Sequence, residues 1–337
     1  MTTAPRRAIS IVGAGAVGLS AGTRLAAAGR DVRFFVRSQD AAEAIEREGL
    51  VLEDPASGEV VRARATASIG VAAAAGLARP DVVLLCVRAP DTAALAPVLA
   101  RTFPGVPIAC VQNDVDNEAT LARHAAIVLG VVWRQTCTRI APNGVRALGR
   151  GRAVVGRHPE GGGAEAEALA ADLADAGLDV GISSRIGEDK WLKLCVNLMS
   201  APNALVRPDE HTTRAFVETK VRLLQEARAA LAAAGVVARS CDGRDRSLDE
   251  EIAFQRESLA QGTSARRLPV YNQVWAALRD RRALEGDAYH RRITALGARH
   301  GVATPQNAHV LRCLERAHRD SRGPESLGAE ELLGDEG

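Results

Sequence analysis

Aromatic residues, lysine and long apolar runs are all scarce in this chain of 337 residues. Aromatics make up 3% of it and the formal net charge is +2. Binding to phosphate backbones needs a basic surface excess, so nucleic acid is not an expected partner. No uninterrupted apolar stretch approaches the ~20 residues of a membrane-crossing helix, and no membrane association is expected. Residues 1–10 (MTTAPRRAIS) run into a strand-like segment without the apolar stretch of a signal peptide. The cytoplasm is therefore the expected compartment. None of the six cysteines (Cys86, Cys110, Cys137, Cys195, Cys241, Cys313) forms a C-x-x-C pair. They read as small apolar residues of a reducing environment. The seven histidines show no metal-ligand spacing, so no metal site is expected.

What is present is a composition of 47% hydrophobic and 25% charged residues, which excludes wholesale disorder and fibrous repeats. At ~100–200 residues per domain, the length suggests two domains. Of 43 basic residues only Lys190, Lys193 and Lys220 are lysine. Lysine can lose its proton when its pKa is lowered and arginine effectively cannot, so these three are worth following.

Residues 8–12, 31–36, 81–87, 107–111 and 127–132 read as strands; 17–28, 40–48, 92–100 and 118–124 read as the helices between them. Val83-Leu84-Leu85-Cys86-Val87 is apolar without alternation, as expected of a parallel strand covered on both faces. The alternation predicts an α/β fold with a doubly wound parallel sheet. Short segments at 144–147, 152–155 and 178–182 are expected to add strands at its edge. Strand signals vanish from about Gly187, and residues 190–199, 214–234, 249–261, 271–280 and 287–300 favour helix. The expected organisation is an α/β domain over 1–184, an all-α domain over 185–320, and a tail over 321–337, rich in Gly and Glu, that frays.

Gly13-Ala14-Gly15-Ala16-Val17-Gly18 places G-x-G-x-x-G at the end of the first strand and the start of the first helix. Gly13 permits a tight turn, Gly15 lets backbone amides approach a pyrophosphate, and Gly18 lets helix pack closely on strand. The helix N-terminus adds positive potential. A second strand follows Gly29, which is the context of a Rossmann-type dinucleotide site; the alternative is a structural glycine turn. That second strand ends Phe34-Phe35-Val36-Arg37-Ser38. NAD and FAD sites place an acid there for the ribose hydroxyls, whereas here it is a cation. Arg37 is expected to clamp a 2′-phosphate with Ser38 donating a further hydrogen bond, which favours NADP(H); otherwise Arg37 is a solvated surface group. The same absence of an acid separates the chain from FAD-dependent monooxygenases, which its first residues resemble.

In the helical half, Lys193 and Asn197 stand four apart, on one helix face, with Ser200 close to it. A partly desolvated lysine beside a neutral amide can donate a proton to a carbonyl oxygen. On spacing alone a solvated helix face is the more ordinary reading.

To about residue 316, the chain resembles the ketopantoate reductase family, NADPH-dependent 2-oxo acid reductases with a Rossmann domain followed by a helical domain. The resemblance rests on Gly13–Gly18, Arg37, Cys86-Val87-Arg88-Ala89 before Asp91, Gln112-Asn113, Lys193-Leu194 with Asn197, Glu285, and Gly301-Val302-Ala303-Thr304-Pro305-Gln306-Asn307. It implies that Lys193 is the general acid that protonates the carbonyl oxygen. It further implies that Glu285 binds a substrate hydroxyl or orients the lysine, and that Asn197 binds substrate. Asn113 would lie between nicotinamide and substrate, and Arg88 near the 2′-phosphate. Ordinary readings stand beside these: Asn113 shaping a turn, Glu285 facing solvent, and Arg88 pairing with Asp91. Asn203 and Asn272 are further candidates for substrate contact. Helical second domains of this type can pair as homodimers, but no seam in the sequence marks one.

The family pattern is broken at Asp114, where Gly is usual, and at Ala201, where a second Asn is frequent. Val270 after Pro269 stands where Ser is expected, and His290-Arg291 where Asn-Gly is expected. The hydride-transfer residues thus survive while substrate-facing polar groups change, and one lost hydrogen-bond partner can shift substrate preference by several kcal/mol. The expected activity is NADPH-dependent reduction of a small 2-oxo acid or related carbonyl other than ketopantoate. An opine-type or imine-reducing dehydrogenase, using Asp114 to hold an amine, and a non-catalytic dinucleotide sensor remain open alternatives.

Overall fold

Apolar segments without alternation become the buried centre of the sheet. The computed structural model describes residues 6–261 and 271–334. Its contacts divide the chain into a first unit up to Gly187 and a second from Glu188 onward. In chain order the strands of the first unit are β1 (Ala8–Val12), β2 (Asp31–Val36), β3 (Leu50–Asp54), β4 (Glu59–Ala63), β5 (Thr66–Ile69) and β6 (Val82–Leu85). They continue with β7 (Ile108–Cys110), β8 (Val128–Arg134), β9 (Cys137–Ala141), β10 (Gly144–Ala147), β11 (Arg152–Arg157) and β12 (Asp179–Ile182). The helices of this unit are α1 (Ala16–Ala27), α2 (Gln39–Glu48), α3 (Thr92–Thr102), α4 (Asn117–Ala122) and α5 (Ala164–Asp175).

The main sheet runs β12-β11-β8-β7-β6-β1-β2-β5. Every pairing from β8 through β5 is parallel, β11 is antiparallel to β8, and β12 is parallel to β11. Ile9 pairs with Val32 on one side and Val82 on the other. The chain leaves β1 toward β2 and later returns to β1's other side as β6. The carboxyl ends of β1 and β6 therefore flank a topological switch point, where doubly wound sheets bind ligands. Both faces are covered: Ile11, Phe34, Leu84 and Leu129 belong to one apolar cluster, Val12, Leu85, Leu99 and Ile108 to another. Asp172 of α5, 1% exposed, accepts from Arg7 and Arg30 at 2.7 Å each.

One expectation is corrected. Residues 144–147 do form a strand, but in a separate sheet ordered β4-β3-β10-β9, where β10 lies parallel to β3 and antiparallel to β9. The turn of Asp54-Pro55-Ala56-Ser57-Gly58 creates the β3–β4 hairpin. Asp54 accepts from the Ala56 amide and the Ser57 hydroxyl, both at 3.0 Å, and its carbonyl accepts from Gly58 at 2.8 Å.

The second unit contains helices: most of α6 (Ile186–Asn197), then α7 (Ser200–Leu205), α8 (Arg214–Ala233), α9 (Leu248–Gln261), α10 (Gln273–Asp280), α11 (Gly286–His300), α12 (Pro305–Arg319) and α13 (Ala329–Leu333). Thr213 caps α8 by accepting from the Phe216 amide at 3.3 Å. Helix α8 buries Val221, Leu223, Leu224 and Ala227 and packs against α9, α11, α12 and α13. Glu226 of α8 accepts from the Gln306 and Asn307 amides at 2.7 and 2.8 Å and so caps α12. The Gly301–Asn307 motif is thus a helix-to-helix turn.

The expected fraying of the tail is also corrected, through residue 334. The Glu325 and Leu327 amides donate to the Ala204 and Leu205 carbonyls, and Arg207 donates back to Leu327. Leu327 and Leu332 are buried, the latter completely. Two leucines with an apolar place to go outweigh a composition that favours loop.

Candidate active site

The turn between β1 and α1 has no room for side chains. Gly13 sits at φ +105°, and a Cβ there would lie 2.8 Å from the Cys86 carbonyl oxygen; at Gly18 it would lie 2.2 Å from that of Gly13. At Gly15, the N-cap of α1, the nearest atom would be 3.8 Å away, so the backbone is open to an approaching group. Bare amides at a helix N-terminus, on the switch-point crevice, fit the pyrophosphate of a dinucleotide. Ala14, Ala16 and Val17 complete the turn. Cys86 packs against Gly18, and burial pushes its thiol up to about 12, so it acts as packing and not as a nucleophile.

Arg37 follows β2 with its side chain 83% exposed, and Arg88 follows β6. Both guanidinium groups approach one carboxylate: Arg37 lies 3.9 Å and Arg88 3.6 Å from Asp91 Oδ2. These separations exceed hydrogen-bond length, and exposed pairs of this kind contribute little to stability. Two cations from the strands on either side of β1 thereby converge on Asp91, able to turn toward an anion. Ser38 accepts from the Ala41 amide at 3.2 Å as the N-cap of α2, which leaves its hydroxyl proton to donate.

Asn113 lies just beyond β7, half-buried. A buried chain of hydrogen bonds fixes its neighbour: Gln112 Nε2 donates to Thr92 Oγ1 at 3.0 Å, and the Thr92 hydroxyl donates to Asn117 Oδ1 at 2.8 Å. The starts of α3 and α4 thus hold the loop that carries Asn113. Asp114 Oδ1 accepts from the Val115 amide at 2.8 Å, a local turn contact.

In the second unit Lys193 and Asn197 are one turn apart on α6 and both half-buried, while Leu194, Cys195 and Leu198 fill the core beneath. Burial also pushes the Cys195 thiol up to about 12. Ser200 opens α7, and its carbonyl accepts from Asn272 Nδ2 at 3.0 Å. Asn272 Oδ1 accepts from the Trp275 amide at 2.9 Å as the cap of α10. Val274 lies directly against Gly286, where a Cβ would be 2.3 Å from its Cγ2. Gly286 follows Glu285, the N-cap of α11. The structure therefore ties Asn272 to the first turn of α7, three residues after Asn197, and sets Gly286, next to Glu285, against Val274 of the helix that Asn272 caps. Asn203 is exposed on α7. Asn272, expected at substrate, instead uses both ends of its amide to hold α10 to α7. Pro269 and Val270 lie outside the described residues.

Two residues that the sequence singled out take places it did not indicate. His290 is completely buried, its Nδ1 3.0 Å from Asn307 Oδ1, and burial pulls its pKa down to about 4. The third lysine, Lys220, places Nζ 4.6 Å from the Phe216 ring centroid, and burial, opposed by Glu251, draws it down to about 8. A lysine four residues after a phenylalanine was the available signal for that contact. Among the described residues, no group of three or more His, Cys, Asp or Glu could hold a metal ion, and no helix is long and apolar enough to cross a membrane.

A glycine turn at the switch point of a doubly wound sheet, joined to a helical unit, is the architecture of a dinucleotide-dependent oxidoreductase. Residues 9–160 match the family of ketopantoate reductase PanE/ApbA. A 2-dehydropantoate 2-reductase of Halobacterium salinarum is 26% identical over 318 residues, covering 93% of this chain and 99% of the relative. A PanE/ApbA family ketopantoate reductase structure from Ralstonia eutropha is similar with a TM-score of 0.76 at 24% identity, covering 94% and 99% of the two chains. A D-mandelate dehydrogenase solved with NADH and anilino(oxo)acetate shares the fold, with a TM-score of 0.75 at 18% identity over 94% and 99%. Over nearly its whole length the chain is therefore similar to ketopantoate reductases. It is an oxidoreductase whose cofactor is a nicotinamide dinucleotide.

Proposed function

We propose that the chain is an NADPH-dependent reductase of a small 2-oxo acid or related carbonyl other than ketopantoate. The observation that carries this reading is the presence, in one chain, of a switch-point glycine turn flanked by two cations and of a half-buried lysine one turn from an amide. When bound, the cofactor supplies a hydride. The amides of Gly13–Gly18 and the N-terminus of α1 hold its pyrophosphate. Arg37 and Arg88 turn from Asp91 to the 2′-phosphate, each as a charge-assisted contact, and Ser38 donates to the same group. Asn113 orients the reacting partners at the end of β7.

Lys193 passes a proton from Nζ to the carbonyl oxygen as the hydride arrives, a role that typically contributes 10²–10⁴-fold. Asn197 binds substrate, with Asn203 as a further contact. Glu285 binds a substrate hydroxyl or orients the lysine. Asn272 acts on substrate only indirectly, by fixing the first turn of α7. The changes at Asp114 and Ala201 support a substrate whose polar groups differ from those of ketopantoate, whereas His290, expected to face substrate, is sealed in the core and does not bear on it. Six free thiols support work in a reducing cytoplasm.

The test is an NADPH-oxidation screen over 2-oxo acids, ketones and imines, with ketopantoate included, alongside fluorescence titration of NADPH and NADH. Turnover of a 2-oxo acid with tighter NADPH binding is expected. Turnover of imines alone, or no turnover at all, contradicts the proposal.

A further inference from the structure

We infer that Asp91 sets how strictly the chain discriminates NADPH from NADH: its carboxylate opposes the 2′-phosphate at the two arginines that attract it, and so narrows the preference. This rests on the proposed reading of Arg37 and Arg88 as the cations that meet that phosphate, and adds a specificity-determining residue to the same site.

Folding does not account for the carboxylate. Asp91 stands at the N-cap of α3, but its amide donates to the Arg88 carbonyl at 3.0 Å and closes a short turn over Ala89–Asp91. That turn leaves the residue in helical backbone, at φ −76° and ψ −14°. A capping side chain reaches the first amides of a helix from extended backbone, and Asp91 makes no cap hydrogen bond. What its Oδ2 meets instead is Arg37 at 3.9 Å and Arg88 at 3.6 Å, with side chains 83% and 40% exposed. Such pairs add little to stability. The nearer one even leaves Arg88 Nε buried without a hydrogen-bond partner among the described residues, which an ion pair built for stability would not do.

The topology places this charge at the cofactor end of the sheet. Val12 pairs with Phe35 on one side and Leu85 on the other, so Arg37 and Asp91 both lie just beyond the carboxyl ends of strands that flank β1. An anion that both guanidinium groups reach must share them with Asp91 or draw them away from it. Either way a like charge stays nearby, well inside a Debye length of about 8–10 Å. NADH has no 2′-phosphate and meets no such opposition. Its free 2′-hydroxyl can donate to a carboxylate, the role that acids play in NAD sites. The chain therefore prefers NADPH by a narrower margin than its two cations alone would set.

The test titrates NADPH and NADH by fluorescence into the full-length wild-type chain, Asp91→Asn and Arg37→Ala. Asp91→Asn keeps the shape of the side chain and removes its charge. It should tighten NADPH by about three- to tenfold, the scale of one partly screened charge pair, and should not tighten NADH. Raising the salt concentration from about 0.1 to 1 M should shrink that gain, which a packing effect of the substitution would not do. Unchanged or weaker NADPH binding in Asp91→Asn, equal tightening of both cofactors, or a gain that salt leaves intact overturns the inference. Arg37→Ala reports separately on the phosphate reading. Weaker NADPH binding there, with no change in Asp91→Asn, overturns the role of Asp91 alone; unchanged NADPH binding in Arg37→Ala overturns both.

Discussion

His290 is sealed inside the helical unit at 0% exposure, and replacing it by glutamine tests what that burial costs. Asn307 donates through Nδ2 to the Leu223 carbonyl and Glu226, so its Oδ1 accepts and His290 Nδ1 must be the donor. The ring is therefore neutral, with Nε2 as an unprotonated acceptor that has no hydrogen-bond partner. Protonating it would bury a charge. Desolvation is the largest influence and pulls the pKa from 6.5 to about 4, against smaller upward contributions from Asn307 and Asp287. The unfolded chain takes up the proton near 6.5 and the native one only near 4, so stability is complete above 6.5 and declines as pH falls between the two. At 1.36 kcal/mol per pKa unit the whole loss is about 3 kcal/mol, of which about 2 falls between pH 7 and pH 5. Chemical unfolding at those two pH values should show the wild-type chain losing about 2 kcal/mol more than His290→Gln. Equal losses in the two proteins, or an NMR titration of His290 near 6.5, would refute the reasoning.

Other perturbations probe other levels of the structure. Gly18→Ala places a methyl 2.2 Å from the Gly13 carbonyl oxygen, so it should lower Tm and abolish dinucleotide binding, read by cofactor fluorescence. Arg37→Ala should weaken NADPH about tenfold or more, the scale of one hydrogen bond to a charged group, and leave NADH affinity within about twofold. Leu332→Ala empties a fully buried site in the tail and should cost about 2–5 kcal/mol in denaturant unfolding; a neutral result would restore the frayed tail.

The parallel core was legible because its strands are buried on both sides: Val82–Leu85 is apolar at every position, which leaves no other way to read it. The hairpin of Leu50–Asp54 and Glu59–Ala63 was not, since it mixes alternation with charge and exposed positions and becomes a sheet only by pairing with Gly144–Ala147. The glycine turn announced itself because the backbone there excludes side chains, a constraint written in residue type. The motif at Gly301–Asn307 was visible but its role was not: Thr304-Pro305 opens a helix that Glu226 caps from 80 residues away. Asn272 went astray for a similar reason, since a capping asparagine and a ligand-binding one look alike until Ser200 and Trp275 are in place. The burial of His290 likewise depends on packing that no local pattern encodes.

In the proposed mechanism Lys193 delivers the proton while the amino-terminal unit holds the cofactor. Its most direct measurement pairs turnover with NADPH affinity in Lys193→Ala. In that variant kcat should fall about 10²–10⁴-fold while the NADPH dissociation constant stays within about twofold. Near-normal turnover in that variant would contradict it.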